Sequence, residues 1–172
     1  MEMENNYSVE NFDSEVLREY DIRGIVGNNL NNNTAYTIGR TFGQIVQKKL
    51  NSNKIVTGYD GRLTSPLLHE ALCYGLKDSG ADVIDVGMGP TPMIYFADFY
   101  LNSDAAIMVT GSHNPSEYNG FKMVLNKHSF FSDEIKNLQN LINQNEITLN
   151  QGSINKKIYC TKLHFKNFTK YK

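Results

Sequence analysis

The sequence predicts an α/β domain of three layers, α/β/α, with a mixed, mostly parallel sheet covered by helices on both faces. Two observations lead there. Short strand-like runs alternate with segments of helical spacing over most of the chain, and one run, Ala105-Ala106-Ile107-Met108-Val109, is apolar throughout, as a strand buried on both faces must be. Such alternation implies right-handed crossovers, and it puts ligand-binding loops at the carboxyl ends of the strands. Three loops qualify: Tyr59-Asp60-Gly61-Arg62, Gly87-Met88-Gly89-Pro90-Thr91-Pro92, and residues 110–115. They are expected to converge on one edge of the sheet.

Residues 1–14 show no periodicity and are expected to be disordered, ahead of a domain spanning 15–147. Residues 16–27 read as an extended segment ending in glycines, and 28–33 as a loop. From Thr34 the apolar positions Ala35, Ile38, Phe42, Ile45, Val46 and Leu50 recur at helical spacing, with Thr34 as N-cap and Lys48-Lys49 at the negative end of the helix dipole. Residues 54–59 form a strand. After the turn at 60–62, a helix is capped by Ser65, carries Pro66 in its first turn, turns Leu68, Leu72 and Leu76 inward and stops at Ser79-Gly80. A strand at 82–86 leads through a glycine turn to a helix that Thr91 caps and Pro92 opens. Then come a strand at 104–109, the 110–115 loop, an antiparallel strand at 121–125, and a helix capped by Ser132 with Ile135, Leu138, Leu141 and Ile142 on one face. Residues 148–172, rich in Asn and Lys with scattered Tyr159, Phe165, Phe168 and Tyr171, keep neither period and read as an irregular tail.

With 172 residues, 40% hydrophobic and 20% charged, the chain can bury the core of one domain but not two. A net charge of −1 leaves no basic face for nucleic acid, and no polybasic tract flanks an amphipathic segment to suggest a membrane surface. The partner is therefore expected to be a small molecule. Cys73 and Cys160 have no metal or redox spacing, and a cytoplasmic location is expected.

Chemistry concentrates in Thr110-Gly111-Ser112-His113-Asn114-Pro115. Gly111 relieves the turn, Asn114-Pro115 sets a second one, and Ser112 is presented on a bend with its hydroxyl within reach of a ligand. His113, its neighbour, is expected to point elsewhere and to serve poorly as a base for Ser112. The Gly-x-Ser-x-Gly elbow of esterases is missing, and so are the glycine signatures of dinucleotide and P-loop sites. On residue types alone, Arg23 and Lys122 read as surface charges and Tyr20 as an aromatic with a wet tip.

These blocks together resemble the α-D-phosphohexomutases, the phosphomannomutase/phosphoglucomutase family. Residues 110–115, followed by Glu117-Tyr118-Asn119-Gly120-Phe121-Lys122, look like that family's serine loop, usually Thr-Ala-Ser-His-Asn-Pro, with Gly111 in place of alanine. Glu19-Tyr20-Asp21-Ile22-Arg23-Gly24, Gly58-Tyr59-Asp60-Gly61-Arg62 and Gly87-Met88-Gly89-Pro90-Thr91-Pro92-Met93 follow its first domain in the right order, although Tyr59 stands where arginine is usual. The resemblance implies a first-domain fold of the phosphoglucomutase type. It implies that Ser112 carries a phosphoryl group in an isomerase, an intramolecular phosphotransferase that interconverts hexose 1- and 6-phosphates through a bisphosphate. Arg23, Lys122 and His113 would assist catalysis, Tyr20 would contact the sugar, and Thr110, Gly111, Asn114, Pro115, Asp60 and Arg62 would support the loop. His69, His128 and Cys73 are assigned to the scaffold.

The family's cofactors, Mg²⁺ and an activator of the glucose 1,6-bisphosphate type, are implied as well, with Ser112 a metal ligand through its phosphate. The family binds that metal with an Asp-Gly-Asp-x-Asp-Arg loop from a second domain, and this chain has no D-x-D pair. The sequence therefore predicts a truncated, serine-bearing domain that is inactive alone. The alternatives are a subunit of a split mutase whose domains II–IV are supplied in trans, and a non-catalytic sugar-phosphate binding domain. A first domain of this kind is also expected to expose apolar surface.

Overall fold

The computed structural model describes residues 6–11, 13–143 and 150–156. Its elements are β1 (Ile22–Ile25), α1 (Asn32–Leu50), β2 (Lys54–Tyr59), α2 (Ser65–Asp78), β3 (Asp82–Met88), α3 (Thr91–Tyr100), β4 (Ala105–Val109), β5 (Tyr118–Leu125), β6 (His128–Ser129), α4 (Asp133–Asn143) and β7 (Ser153–Lys156). The strands form one sheet in the order β1-β5-β4-β2-β3-β7, with β6 on β5. β2 pairs in parallel with β3 and β4, and β3 with β7, whereas β5 runs antiparallel to β1, β4 and β6. Every described strand except β5 therefore points the same way. The mixed, mostly parallel sheet is as the sequence predicts, down to the reversed strand that contains Phe121.

Side chains alternate strictly along β4. Ala105, Ile107 and Val109 enter the larger core, under α1, α2 and α4, together with Phe42, Phe121 and Phe130. Ala106 and Met108 enter a smaller core with Val56, Val86 and the α3 residues Ile94 and Ala97. The α1 and α2 backbones approach closely. A Cβ on Gly39 would lie 2.4 Å from the Leu72 carbonyl oxygen, and one on Gly75 would lie 2.1 Å from that of Tyr36. The second face is covered less completely, because α3 packs on β2 and β4 and leaves the β5–β1 half of that face without a helix among the described residues.

Some helix starts differ from the sequence expectation. α1 is capped by Asn31, whose side chain accepts from Thr34 N–H while Thr34 Oγ1 accepts from Asn31 N–H, so Thr34 closes a capping box one turn inside the helix. Ser65 does not cap α2. It is the first helical residue, and its hydroxyl donates to the Asp60 carboxylate at 2.6 Å and accepts from the Asn119 side chain. α3 begins at Thr91 with Pro90 before it, so Thr91 is inside the helix. Ser132 does precede α4, its carbonyl accepting from Lys136 N–H.

The expectations of a disordered segment at 1–14 and an irregular tail at 148–172 are each corrected for the residues described. Within residues 6–11 and 13, Tyr7 packs its ring 5.8 Å from Tyr36 and 5.9 Å from Tyr74, Glu10 N–H donates to Thr37 Oγ1, and the Glu10 carboxylate accepts from Thr34 Oγ1. This docked segment follows no periodicity because it is held by the start of α1 and not by a repeat of its own. Likewise Ser153–Lys156, read as tail, forms β7 on the open edge of β3, anchored by Gly152 N–H to Lys77 O and Ser153 Oγ to Asp82 Oδ1. The remaining tail, with Tyr159, Cys160, Phe165, Phe168 and Tyr171, lies outside the described residues. No described helix is long and apolar enough to cross a membrane.

Candidate functional site

The three strand-end loops meet, as expected, at the carboxyl edge of the parallel strands. Asp60 N–H donates to Val109 O, and Gly89 N–H donates to Tyr59 O, which ties the β2, β4 and β3 ends together. Asp60 is the hub. Its Oδ2 accepts from Thr110 Oγ1 at 2.9 Å and Gly111 N–H at 3.1 Å, and its Oδ1 accepts from Ser65 Oγ and Arg62 N–H. Burial alone would raise the Asp60 carboxyl, but the hydrogen bonds from Ser65, Arg62, Thr110 and Gly111 outweigh it and hold the group below the usual carboxylate range.

Arg62 binds the loop from outside. Its Nη1 donates to the carbonyls of Pro115 (2.7 Å) and Tyr118 (3.0 Å), and its Nη2 to those of Ser112 (3.1 Å) and Asn114 (2.5 Å). The planar fork of donors suits a loop that curls its carbonyls around one point, and the ion pair with Asp60 at 3.5 Å orients it. Asn114 closes the inner turn, its side chain and its backbone N–H both donating to Gly111 O. Asn119 anchors the loop's far end by donating to Thr64 and Ser65.

Held this way, Ser112 sits at φ +52°, the left-handed region that costs a serine roughly 1–3 kcal/mol unless the surroundings impose it. Its N–H donates to Thr110 Oγ1 and its side chain is exposed. The left-handed twist also corrects the expectation for His113. It swings the two neighbouring side chains together, leaving Ser112 Oγ 3.2 Å from His113 Nδ1.

The β4–β5–β1 pairing sets where the cations stand. Thr110 N–H donates to Gly120 O, and Gly120 pairs with Arg23, so Thr110, Gly120 and Arg23 share one rung of the sheet. Strand alternation then puts Asp21, Arg23, Gly120 and Lys122 on the half-face that α3 leaves bare. Gly120 is required here, because a Cβ would lie 1.9 Å from the Ile22 carbonyl oxygen. Arg23 and Lys122 are about one-third exposed and both pair with Asp21, at 2.9 and 3.6 Å. Tyr20, just before β1, is 69% exposed and stacks on Phe131, ring centres 6.3 Å apart.

The scaffold assignments agree with burial for two of three residues. His69 lies between Thr57, Cys73 and Asp85, and burial brings it down to about 4, although Asp85 pulls the other way. Burial likewise pushes the Cys73 thiol up to about 12, which makes it an inert core group. His128 is exposed on β6. Tyr59 packs its ring 4.8 Å from His69. Sequence reasoning missed Asp21, Ser65, Asn119 and Phe131. Asp21 had a signal in its i, i+2 spacing from Arg23 on a strand, and Asn119 in its place within the block after the serine loop.

Comparisons with known proteins identify the family and the fold. The family model for phosphoglucomutase/phosphomannomutase, alpha/beta/alpha domain I, matches residues 14–148. The phosphomannomutase/phosphoglucomutase of Pseudomonas putida is 43% identical over 143 residues, covering 82% of this chain and 30% of that protein. A phosphomannomutase from Klebsiella pneumoniae is 45% identical over 132 residues, 76% of this chain and 82% of that sequence. Among solved structures, a phosphoglucomutase/phosphomannomutase family protein from Burkholderia thailandensis superposes with a TM-score of 0.81 at 39% identity, over 86% of this chain and 34% of that one. The chain thus spans about 30% of the length of the first curated relatives it matches.

Proposed function

The chain belongs to the phosphoglucomutase/phosphomannomutase family, and on that footing we propose that it carries the phosphoserine of a hexose-phosphate mutase. Ser112 is the group that moves phosphate. Its Oγ attacks a phosphorus of a hexose bisphosphate, an Oγ–P bond forms, the P–O bond to the sugar breaks, and the serine's proton ends on the sugar oxygen, which leaves as a hydroxyl. In the opposite direction the phosphoserine gives its phosphoryl group to the free hydroxyl of a hexose monophosphate. The sum interconverts hexose 1-phosphate and hexose 6-phosphate, with a bisphosphate of the glucose 1,6-bisphosphate type as intermediate and activator. The same reading makes residues 15–147 the working domain and the cytoplasm its location.

One observation supports this most: Ser112 projects from a loop braced by Asp60 and Arg62, beside a half-face that holds Arg23 and Lys122. Phosphoryl transfer depends chiefly on positioning and charge neutralisation, and a rigid oxygen near two cations supplies both. His113 Nδ1, 3.2 Å from Oγ, is placed to take the hydroxyl proton as the Oγ–P bond forms. Lys122 and Arg23 neutralise the phosphate oxygens, and Tyr20 offers its exposed ring to the sugar.

Mg²⁺, which the family implies, does not fit the carboxylates described here. Both oxygens of Asp60 already accept from O–H and N–H donors, Asp21 is paired with two cations, and no described cluster holds three or more potential metal-ligating side chains. A phosphorylated Ser112 would offer such an ion its phosphate oxygens and little else. Sustained turnover by this chain alone is therefore not expected, whereas Ser112, which needs one slow transfer and no reorientation of a bound bisphosphate, is expected to load.

Intact-mass spectrometry of the chain, with and without glucose 1,6-bisphosphate, tests the proposal. The bisphosphate is expected to add one phosphoryl mass that maps to Ser112 and is lost in Ser112→Ala. An unmodified mass, or a phosphate on another residue, would overturn the reading.

A further inference from the structure

Resting on that reading, we infer that Asp21 is a positioning residue for the phosphate site, one carboxylate oxygen holding both of its cations. Asp21 Oδ2 lies 2.9 Å from Arg23 Nη2 and 3.6 Å from Lys122 Nζ. The two nitrogens are therefore at most about 6.5 Å apart, the sum of those distances. Two cations on neighbouring strands would otherwise repel and splay into solvent, since each is a long side chain with much rotamer freedom to gain.

The layering of the group decides what a ligand meets. The Asp21 side chain is 10% exposed, while those of Arg23 and Lys122 are 33% and 31% exposed. The carboxylate lies behind and the cations in front, so an anion arriving from solvent contacts two positive groups without displacing their anchor. The three groups carry a net single positive charge. Gly120, on the rung between Thr110 and Arg23, contributes no side chain to block the approach from the Ser112 loop.

A positioning role and a simple charge effect predict opposite outcomes for Asp21→Asn. If only charge matters, removing an anion beside two cations tightens phosphate binding. If Asp21 positions them, binding weakens despite the added positive charge. The test is an amide-shift titration of the 172-residue chain with inorganic phosphate and with glucose 6-phosphate. Asp21→Asn is expected to bind about tenfold more weakly than the wild type, and Asp21→Glu, which restores the charge, within about threefold of it. Wild-type binding with equal or tighter binding by Asp21→Asn would overturn the inference and leave the proposed function standing. A wild-type chain whose loop amides do not respond to either probe would overturn both. A second measurement needs no variant. The Arg23 guanidinium N–H signals of the wild type are expected to stay protected from exchange at phosphate saturation, and their loss would show that the ligand displaces Asp21, which also overturns the inference.

Discussion

Replacing Arg62 by alanine removes the fork that gathers four carbonyls, those of Ser112, Asn114, Pro115 and Tyr118. A hydrogen bond to a charged group contributes about 1.5–3 kcal/mol. The bonds to Ser112 and Pro115 are exposed, so water replaces them at little loss, while those to Asn114 and Tyr118 are half-buried and dominate. A net loss of about 3 kcal/mol follows, which for a chain of this size lowers Tm by roughly 6–12 °C. The left-handed Ser112 relaxes once its carbonyl is released, and a displacement of about 1 Å at a reacting oxygen costs roughly a hundredfold in rate. Thermal denaturation, amide exchange at residues 111–114 and the rate of Ser112 phosphorylation from glucose 1,6-bisphosphate report the three effects. Arg62→Lys keeps the charge without the planar fork and should recover little of any of them. If Arg62→Ala melts within a degree of wild type with unchanged exchange in the loop, the clamp is not what shapes it.

Gly120→Ala places a Cβ 1.9 Å from a backbone oxygen of β1, so loss of soluble, folded protein is expected; a melting curve like that of the wild type would refute the close approach. His69 makes stability depend on pH. Its folded value of about 4 lies below the ordinary 6.5, so the unfolded chain protonates first as pH falls. This contribution is whole above 6.5 and is lost on descending to 4, by up to about 3 kcal/mol, and urea midpoints at neutral and acid pH should show it shrink in His69→Gln. On α3, Tyr95, Phe96, Phe99 and Tyr100 are exposed, with Phe96 stacked on Tyr100. Concentration-dependent self-association is expected in sedimentation and should weaken in a Phe96→Ser, Phe99→Ser variant; a wild type that stays monomeric at the highest soluble concentration would refute it.

How much of this was legible in the sequence depended on whether a residue's role is local. β2 is legible with its observed bounds, Lys54–Tyr59, because its apolar run ends where Asp60 begins a turn. The loop clustering followed from topology alone, since strands that point one way end on one edge. β7 escaped notice because Ser153-Ile154-Asn155-Lys156 becomes a strand only through the open edge of β3, and an edge strand needs no apolar pattern of its own. The start of α1 is ambiguous in the sequence because Asn31 and Thr34 are both capping residue types, and the structure joins the two in one box.

The site itself was half legible for the same reason. Ser112, Arg23 and Lys122 could be picked out by resemblance, but what holds them depends on backbone angles and strand register that spacing does not encode. The Ser112–His113 contact exists because one residue is left-handed. Asp21 meets Lys122 because Phe121 pairs with Ile22, and a slip of β1 by one residue would send Asp21 and Arg23 into the core occupied by Phe121 and Ile22 and leave Lys122, fixed on β5, without its carboxylate. Three buried or half-buried charges on a half-face without a helix among the described residues make poor packing surface, and burying them under another helix would be costly. Among the described residues that half-face carries no helix at the point where the serine loop ends, and this common position is why the charges read as a site and not as scaffold.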